Sequence, residues 1–505
     1  MASTTKTQQL HFLLFPYMAQ GHMIPMVDIA KLLASRPDVV VTIVTTPVNA
    51  ARFKSPLDRA INELRLPISV ISLRLPCSEA GLPENCENVD LLPSITSLID
   101  IYRAAALMEP QVETLFETLS PPPSCIISDF CLPYTNRIAK KFDVPRISFH
   151  GFSCFCLLCL RCVTFHGDEF EAMSEHEYFE LPGFPGGIEI TRAQLPLQYK
   201  NLVSDSTEKG NLDDVSQAES DAYGFIVNTF EELEAEYLEE LKVAKQGRVW
   251  CVGPVSLTNC FELDKLERGN SSVSSSLSSS ARVHQCLSWL DGKEQSSVIY
   301  VCLGSICNLS SPQLMELALG LEASDKTFLW VVREIEKTKE LFQWMEEEKF
   351  EERVSSKGMV IRGWAPQVMI LSHRSIGGFL THCGWNSSLE GISAGVPLVT
   401  WPLFGDQFCN EKLIVEVVKI GVKVGAWRPT YWNGNETEEV FVKREQVARA
   451  VRLVMDGGEE GEARRTRAKE LAERAKRAVG NGGSSHTNVT TLIEDIIKHQ
   501  EQRKQ

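Results

Sequence analysis

The segment Val39–Thr45 (VVVTIVT) is β-branched at every position. Such a run suits a strand buried on both faces, and strands of that kind belong to parallel sheets covered by helices. Leu10–Phe15 supplies a second short, mostly apolar run. Between the two, Ile24, Met26, Val27, Ile29, Ala30, Leu32 and Leu33 form a helical stripe behind a turn at Gly21. Strand, helix, strand is the repeating unit of an α/β fold. Further strands are expected at 125–128, 145–149 and 224–228, with Gly253-Pro254 closing this half. The same unit returns downstream as a strand at 297–303, a turn at Gly304-Ser305, a helix at 312–321 and a strand at Thr327–Val332. Two doubly wound α/β domains follow, 1–255 and 256–486, with a ligand expected in the crevice beside the strands' carboxyl ends. At 505 residues the chain has the length for both.

Residues 269–280 are mostly serine, the composition of a flexible linker or surface loop. Near the end, Val489, Leu492, Ile493, Ile496 and Ile497 recur at helical spacing and need a surface to cover. With 66 acidic against 51 basic residues the formal charge is −15, which argues against a nucleic-acid or anionic-membrane binder. An anionic ligand would have to be held by backbone dipoles or a few local groups. The first apolar run stops at Pro16, too short for a signal sequence, and the densest one, 152–163, is broken by Arg161. That is well short of the roughly 18–20 residues that span a bilayer. The expectation is a cytoplasmic protein without membrane insertion, its fifteen cysteines reduced.

Several motifs are missing or bland. No G-x-G-x-x-G follows a strand and no P-loop occurs. Cys156, Cys159, Cys162 and His166 have metal-like spacing, but the interleaved leucines and the lack of a second ligand cluster mark them as small core residues. The acidic run 231–240 reads as a solvated helix face. His22 is more informative, standing where a buried strand has ended and a helix begins. It is either a helix cap or, with Asp129 at the analogous end of the strand 125–128, a carboxylate-supported general base.

Residues 364–407 carry the densest constellation. A strand at 376–380 is closed by His382, and Asn386, Ser387 and Ser388 suit the cap and first turn of a helix. The free N–H groups and dipole of that helix make an anion site suited to a diphosphate, with Gly304-Ser305 expected nearby. Trp364 offers a flat face for a base and Glu390 acceptors for ribose hydroxyls. A helix cap with core aromatics explains each residue singly but not the set.

This box (WAPQ, LSH, THCGWNSSLE, AGVPLVTWP, DQ) resembles, at nearly every signature position, that of plant family 1 UDP-dependent glycosyltransferases. The likeness extends to PYMAQGHMIPM at 16–26, SDFCLPYT at 128–135 and the strand ending at Gly304-Ser305. It implies the GT-B fold, two Rossmann-like domains facing across a cleft, with the terminal helix 487–505 crossing back onto the first. It implies a UDP-sugar donor, a small hydroxylated acceptor, no metal or further cofactor, and a monomer. By the same likeness Trp364 stacks on uracil, Ala365 and Gln367 meet the nucleoside, and Glu390 holds the ribose. His382, Asn386, Ser387 and Ser305 bind the diphosphate, Trp385, Asp406 and Gln407 touch the sugar, and His22 is the base with Asp129 its partner. The acceptor pocket is expected near His22 and His150. Glutamine at 407 is associated with glucose, since an amide can bond two sugar hydroxyls at once. The branch resembled points to inverting transfer to a hydroxyl or carboxyl of a triterpenoid sapogenin, or alternatively to a flavonoid or other phenolic. A non-catalytic nucleotide-sugar-binding protein would keep the second box but has no need of His22 with Asp129. A nicotinamide-dependent oxidoreductase would show the missing glycine fingerprint.

Overall fold

The computed structural model describes residues 9–94, 97–166, 170, 173–195, 206–269, 285–307, 309–335, 338–430 and 439–503. Among the described residues, nine strands belong to the first half: β1 (Leu10–Phe15), β2 (Val39–Thr45), β3 (Ile68–Ser72), β4 (Cys125–Asp129), β5 (Arg146–His150), β6 (Tyr178–Glu180), β7 (Glu189–Thr191), β8 (Gly224–Val227) and β9 (Val249–Cys251). All but the antiparallel hairpin β6–β7 form one parallel sheet in the order β3-β2-β1-β4-β5-β8-β9. The second half contributes β10 (Val298–Cys302), β11 (Thr327–Val332), β12 (Gly358–Arg362), β13 (Ile376–Thr381), β14 (Leu398–Thr400) and β15 (Gly421–Lys423). These run parallel in the order β12-β11-β10-β13-β14-β15.

The burial pattern explains the architecture. Every residue of β1 is buried, as a strand covered on both faces requires. The helix Gln20–Ala34 lays Met26, Ile29, Ala30 and Leu33 against Leu10, Phe12, Leu14, Val39 and Val41. The terminal helix Ser484–Arg503 enters the same core with Val489, Leu492 and Ile496. Burying each of these three side chains stabilises the fold by about 1.5–3 kcal/mol. Ser485 Oγ donates to the Gly253 carbonyl (2.5 Å) and Asn488 Nδ2 to the Cys251 carbonyl (3.0 Å), fixing the helix beside β9.

The acidic run behaves differently from expectation. The helix Glu231–Ala244 does expose most of its glutamates, but Glu234 is buried, at a kink with φ −136°. Its carboxylate accepts from the Phe155 amide (2.7 Å) and the Thr229 hydroxyl, and burial pushes its pKa up to about 7. This glutamate tethers the helix Cys154–Phe165, in which Cys154, Cys156 and Cys159 are wholly buried core thiols. None of the fifteen cysteines forms a disulfide. The serine tract from 270 to 280 lies outside the described residues. Among the described residues no helix is long and apolar enough to cross a membrane.

Candidate active site

In each sheet the strand order reverses once, between β1 and β4 and between β10 and β13. At such a switch point the loops leaving adjacent strands diverge to opposite faces and open a crevice at the carboxyl ends. Both crevices face one cleft of about 620 Å³. Its wall takes His22 from the first sheet and Ser305, Trp364, Ala365, Gln367, His382, Trp385, Asn386, Ser387, Glu390, Asp406 and Gln407 from the second.

His22 occupies the first turn of the helix after β1, and Asp129 ends β4. Their separation is 2.8 Å from Nδ1 to Oδ2, with the histidine 22% exposed and the aspartate wholly buried. The other carboxylate oxygen accepts from the Cys131 amide (3.0 Å), so Asp129 cannot rotate away. A carboxylate only accepts, which makes Nδ1 the protonated nitrogen and leaves Nε2 for the cleft. Burial alone would depress the His22 pKa, but the Asp129 charge and hydrogen bond outweigh it, and Asp406 adds to them. The net pKa is raised. Cys131 completes the one group of three metal-capable side chains found among the described residues. Burial and the Asp129 charge push its thiol pKa well up and favour the protonated thiol.

In the second crevice the histidine has no charged partner. His382 follows β13 and stands between two glycines. A Cβ on Gly304 would lie 2.5 Å from the ring's Cε1, and one on Gly384 would lie 2.3 Å from its Nε2. Gly304 also has φ +80°, the left-handed region that glycine alone enters without strain. Burial with no countercharge drives the His382 pKa down to about 4. It is a neutral donor. The helix Trp385–Ala394 follows; Asn386, Ser387 and Ser388 lie in its first turn as expected, but the cap position is taken by Gly384. Glycine has no side chain to satisfy the first-turn amides, so they face the cleft as an anion site.

Several expected contacts are directed elsewhere. Trp385, anticipated against the sugar, is 2% exposed, and its indole N–H donates to the Asn228 carbonyl of the first domain (2.8 Å). Asn386, anticipated on the diphosphate, donates its amide to the Gly21 carbonyl (2.6 Å) and accepts from Asn228 Nδ2 (3.3 Å). Its route to an anion is its backbone N–H. The Gln407 amide oxygen already accepts from the Leu403 and Phe404 amides (2.8 and 3.1 Å), leaving the NH₂ group for a sugar. Asp406 accepts from Asn410 Nδ2 (2.6 Å), and burial raises its pKa to about 7. His150 does not line the cleft. It is buried, with Nε2 2.8 Å from Glu219, and stacks on Phe130, while its neighbours Gly151 and Phe152 reach the wall.

Gln367 donates through Nε2 to Glu390 Oε2 (2.8 Å) and Ser387 Oγ (3.0 Å), so three expected nucleoside and phosphate contacts form one network. Among the wall residues not expected from the sequence, two arginines stand out. Arg268, before the serine tract, reaches Glu390, and Arg333, after β11, donates to the Ser305 carbonyl. No local periodicity marks either. Gly384 was legible in principle, since a glycine between a strand-closing histidine and a helix start signals close approach.

Comparison with known proteins accords with this geometry. The family model "UDP-glucoronosyl and UDP-glucosyl transferase" matches residues 280–426. UDP-glycosyltransferase 73C11 of Barbarea vulgaris is 52% identical over 496 residues, covering 98% of each chain. The crystal structure of Glycyrrhiza uralensis UGT73P12 with glycyrrhetinic acid 3-O-monoglucuronide superposes with a TM-score of 0.87 at 35% identity, covering 98% of this chain and 97% of that one. Phytolacca americana UGT2, solved with UDP-2fluoro-glucose and pterostilbene, gives 0.74 at 27% identity, covering 96% and 99%. The two switch-point crevices are thus the halves of a GT-B cleft, and the chain belongs to the UDP-glycosyltransferase family of plants.

Proposed function

We propose that the chain is an inverting UDP-glucosyltransferase that acts on a hydroxyl or carboxyl of a small plant metabolite, with His22 as general base. The observation that carries this reading is the Asp129-supported His22 lining the same cleft as a helix N-terminus that no side chain caps. A sensor of nucleotide sugars would need the second feature but not the first.

In this mechanism Nε2 of His22 takes the acceptor hydroxyl's proton as that oxygen bonds the anomeric carbon. The bond from the anomeric carbon to the phosphate oxygen breaks on the opposite face, and UDP departs with the electron pair. The configuration inverts. The first-turn amides of the helix Trp385–Ala394, Ser305 and neutral His382 donate hydrogen bonds to the phosphate as its charge grows. His382 therefore contributes direction and not charge. No metal is needed in this scheme, because preorganised donors meet the departing charge.

Glucose is proposed as the sugar because the Gln407 NH₂ presents two fixed N–H donors, enough to reject an epimer that misplaces a hydroxyl. A triterpenoid acceptor is proposed ahead of a phenolic one. UGT73P12, the more similar of the two solved structures, was crystallised with a triterpenoid glucuronide, whereas UGT2 holds a stilbene phenol. The test is a UDP-release assay with mass detection, four UDP-sugars and a panel of triterpenoid, flavonoid and stilbene acceptors. The highest kcat/KM is expected with UDP-glucose and a triterpenoid. Clear preference for UDP-galactose, UDP-xylose or UDP-glucuronate overturns the donor assignment.

A further inference from the structure

The helix Glu262–Glu267 is bound to the first domain by ion pairs. Lys31 Nζ donates to Asp264 Oδ2 (2.6 Å), and Arg59 reaches Asp264 and Glu267 (both 2.7 Å). The next residue, Arg268, is directed away from these anchors and into the gap between the domains. Its Nη1 donates to Asp28 Oδ2 in the first domain (2.5 Å), and its Nε donates to Glu390 Oε1 in the second (2.9 Å). All three side chains are almost fully buried, between 4% and 10% exposed. The two anions hold the guanidinium charged against the opposing effect of burial. Gly269, at φ +81°, follows directly against Trp364; a Cβ there would lie 3.6 Å from the indole nitrogen. The segment thus closes over the end of the cleft where Trp364, Gln367 and Glu390 converge.

The Glu390 carboxylate is held from both sides, by Arg268 on Oε1 and by Gln367 on Oε2. A carboxylate offers about four lone-pair sites, so one remains on each oxygen. Two acceptors at fixed spacing match a pair of vicinal hydroxyls. The bridging cation also offsets a negative charge that would otherwise repel an incoming diphosphate.

We propose that Arg268 is a positioning residue for the donor. Through Glu390 it fixes the acceptors for the ribose hydroxyls, and through Asp28 it makes their placement depend on contact between the two domains. This rests on the donor-site reading above.

The test is calorimetric binding of UDP and 2′-deoxy-UDP to the wild-type protein and to Arg268→Gln, Arg268→Lys and Asp28→Asn, with KM and kcat for UDP-glucose measured alongside. Wild type should prefer UDP over the deoxy analogue by roughly 10-fold, the worth of a hydrogen bond to a charged group. Arg268→Gln should weaken UDP by roughly 10-fold and 2′-deoxy-UDP far less, so that the preference collapses. KM should rise with little change in kcat. Lysine restores charge without the fork and should recover only part of the loss. Asp28→Asn should act in the same direction and more weakly, and it serves if Arg268→Gln does not fold. Unchanged UDP affinity overturns the role, as does equal weakening of both nucleotides. If the wild-type protein binds neither nucleotide, the donor-site reading falls with it.

Discussion

At the switch point of the first sheet a histidine lies 2.8 Å from a buried carboxylate. At that of the second, a histidine stands between two glycines with no countercharge. The sheets share a topology, and both rings follow a strand beside the reversal of strand order. Their proton affinities are nevertheless driven apart. His22 is raised by Asp129 and Asp406 against burial, whereas His382 is lowered to about 4 by burial alone. The rings stand on opposite sides of corresponding switch points, His22 after β1, the counterpart of β10, and His382 after β13, the counterpart of β4. In the proposed mechanism one accepts a proton and holds it, and the other stays neutral beside a diphosphate. Topology places the imidazoles, and their immediate neighbours decide what each can do.

The sharpest way to break the comparison is to remove the rings one at a time. His22→Ala should lower kcat by roughly 10²–10⁴, the contribution of a positioned base, with UDP affinity nearly unchanged. Near-normal turnover per folded molecule would show that His22 merely starts its helix. A smaller loss is expected from Gly384→Ala or Gly304→Ala, which forces a methyl into the His382 ring. Overpacking of about 1–3 kcal/mol corresponds to roughly 5–150-fold in UDP affinity. The KM for the acceptor should be preserved, and an equal rise in both KM values would mean that the two crevices are not independent.

Smaller still is a displacement along the pH axis. A base acts when deprotonated, so the rate should climb as pH rises through the His22 pKa, which lies above the ordinary 6.5. Asp129→Asn removes the charge that favours the protonated ring and should move this limb to lower pH. His382→Gln should leave the limb in place, because that ring is already neutral. A limb that moves with His382 and not with Asp129 would reverse the assignment. The smallest expected effect is none: EDTA should not alter turnover. Loss on chelation, restored by manganese or magnesium, would show that the helix amides do not suffice as the charge-compensating element.

Much of the fold could be read in the residues because buried parallel strands are continuous apolar runs. Val39–Thr45 and Thr327–Val332 begin and end as their β-branched and apolar letters suggest. Ile68–Ser72, a mostly exposed strand at a sheet edge, lacks such a run, and Gly421–Lys423 is too short to carry a period. The site divides in the same manner. His22, Asp129 and the helix at 385 stand at strand ends, which local pattern reveals. What Trp385, Asn386 and Gln407 do with their polar atoms depends on backbone far away in sequence or hidden in a loop. Gly21, which receives the Asn386 amide, lies in the other domain. Single-sequence pattern assigns a side chain its chemistry but not the partner that has already claimed it. Arg268 is the extreme case, since an arginine at the mouth of a serine tract has no local signal at all.

The terminal helix has a consequence for biosynthesis. Val489, Leu492 and Ile496 complete the core of the sheet that contains β1, although roughly 230 residues separate Cys251 from Ser484. At about 5–20 residues per second, the ribosome needs roughly 12–50 s to bridge that distance. Throughout that interval the core around β1 lacks the three apolar side chains that complete it. A stop codon just before Ser484 would accordingly damage the half of the enzyme that was synthesised first.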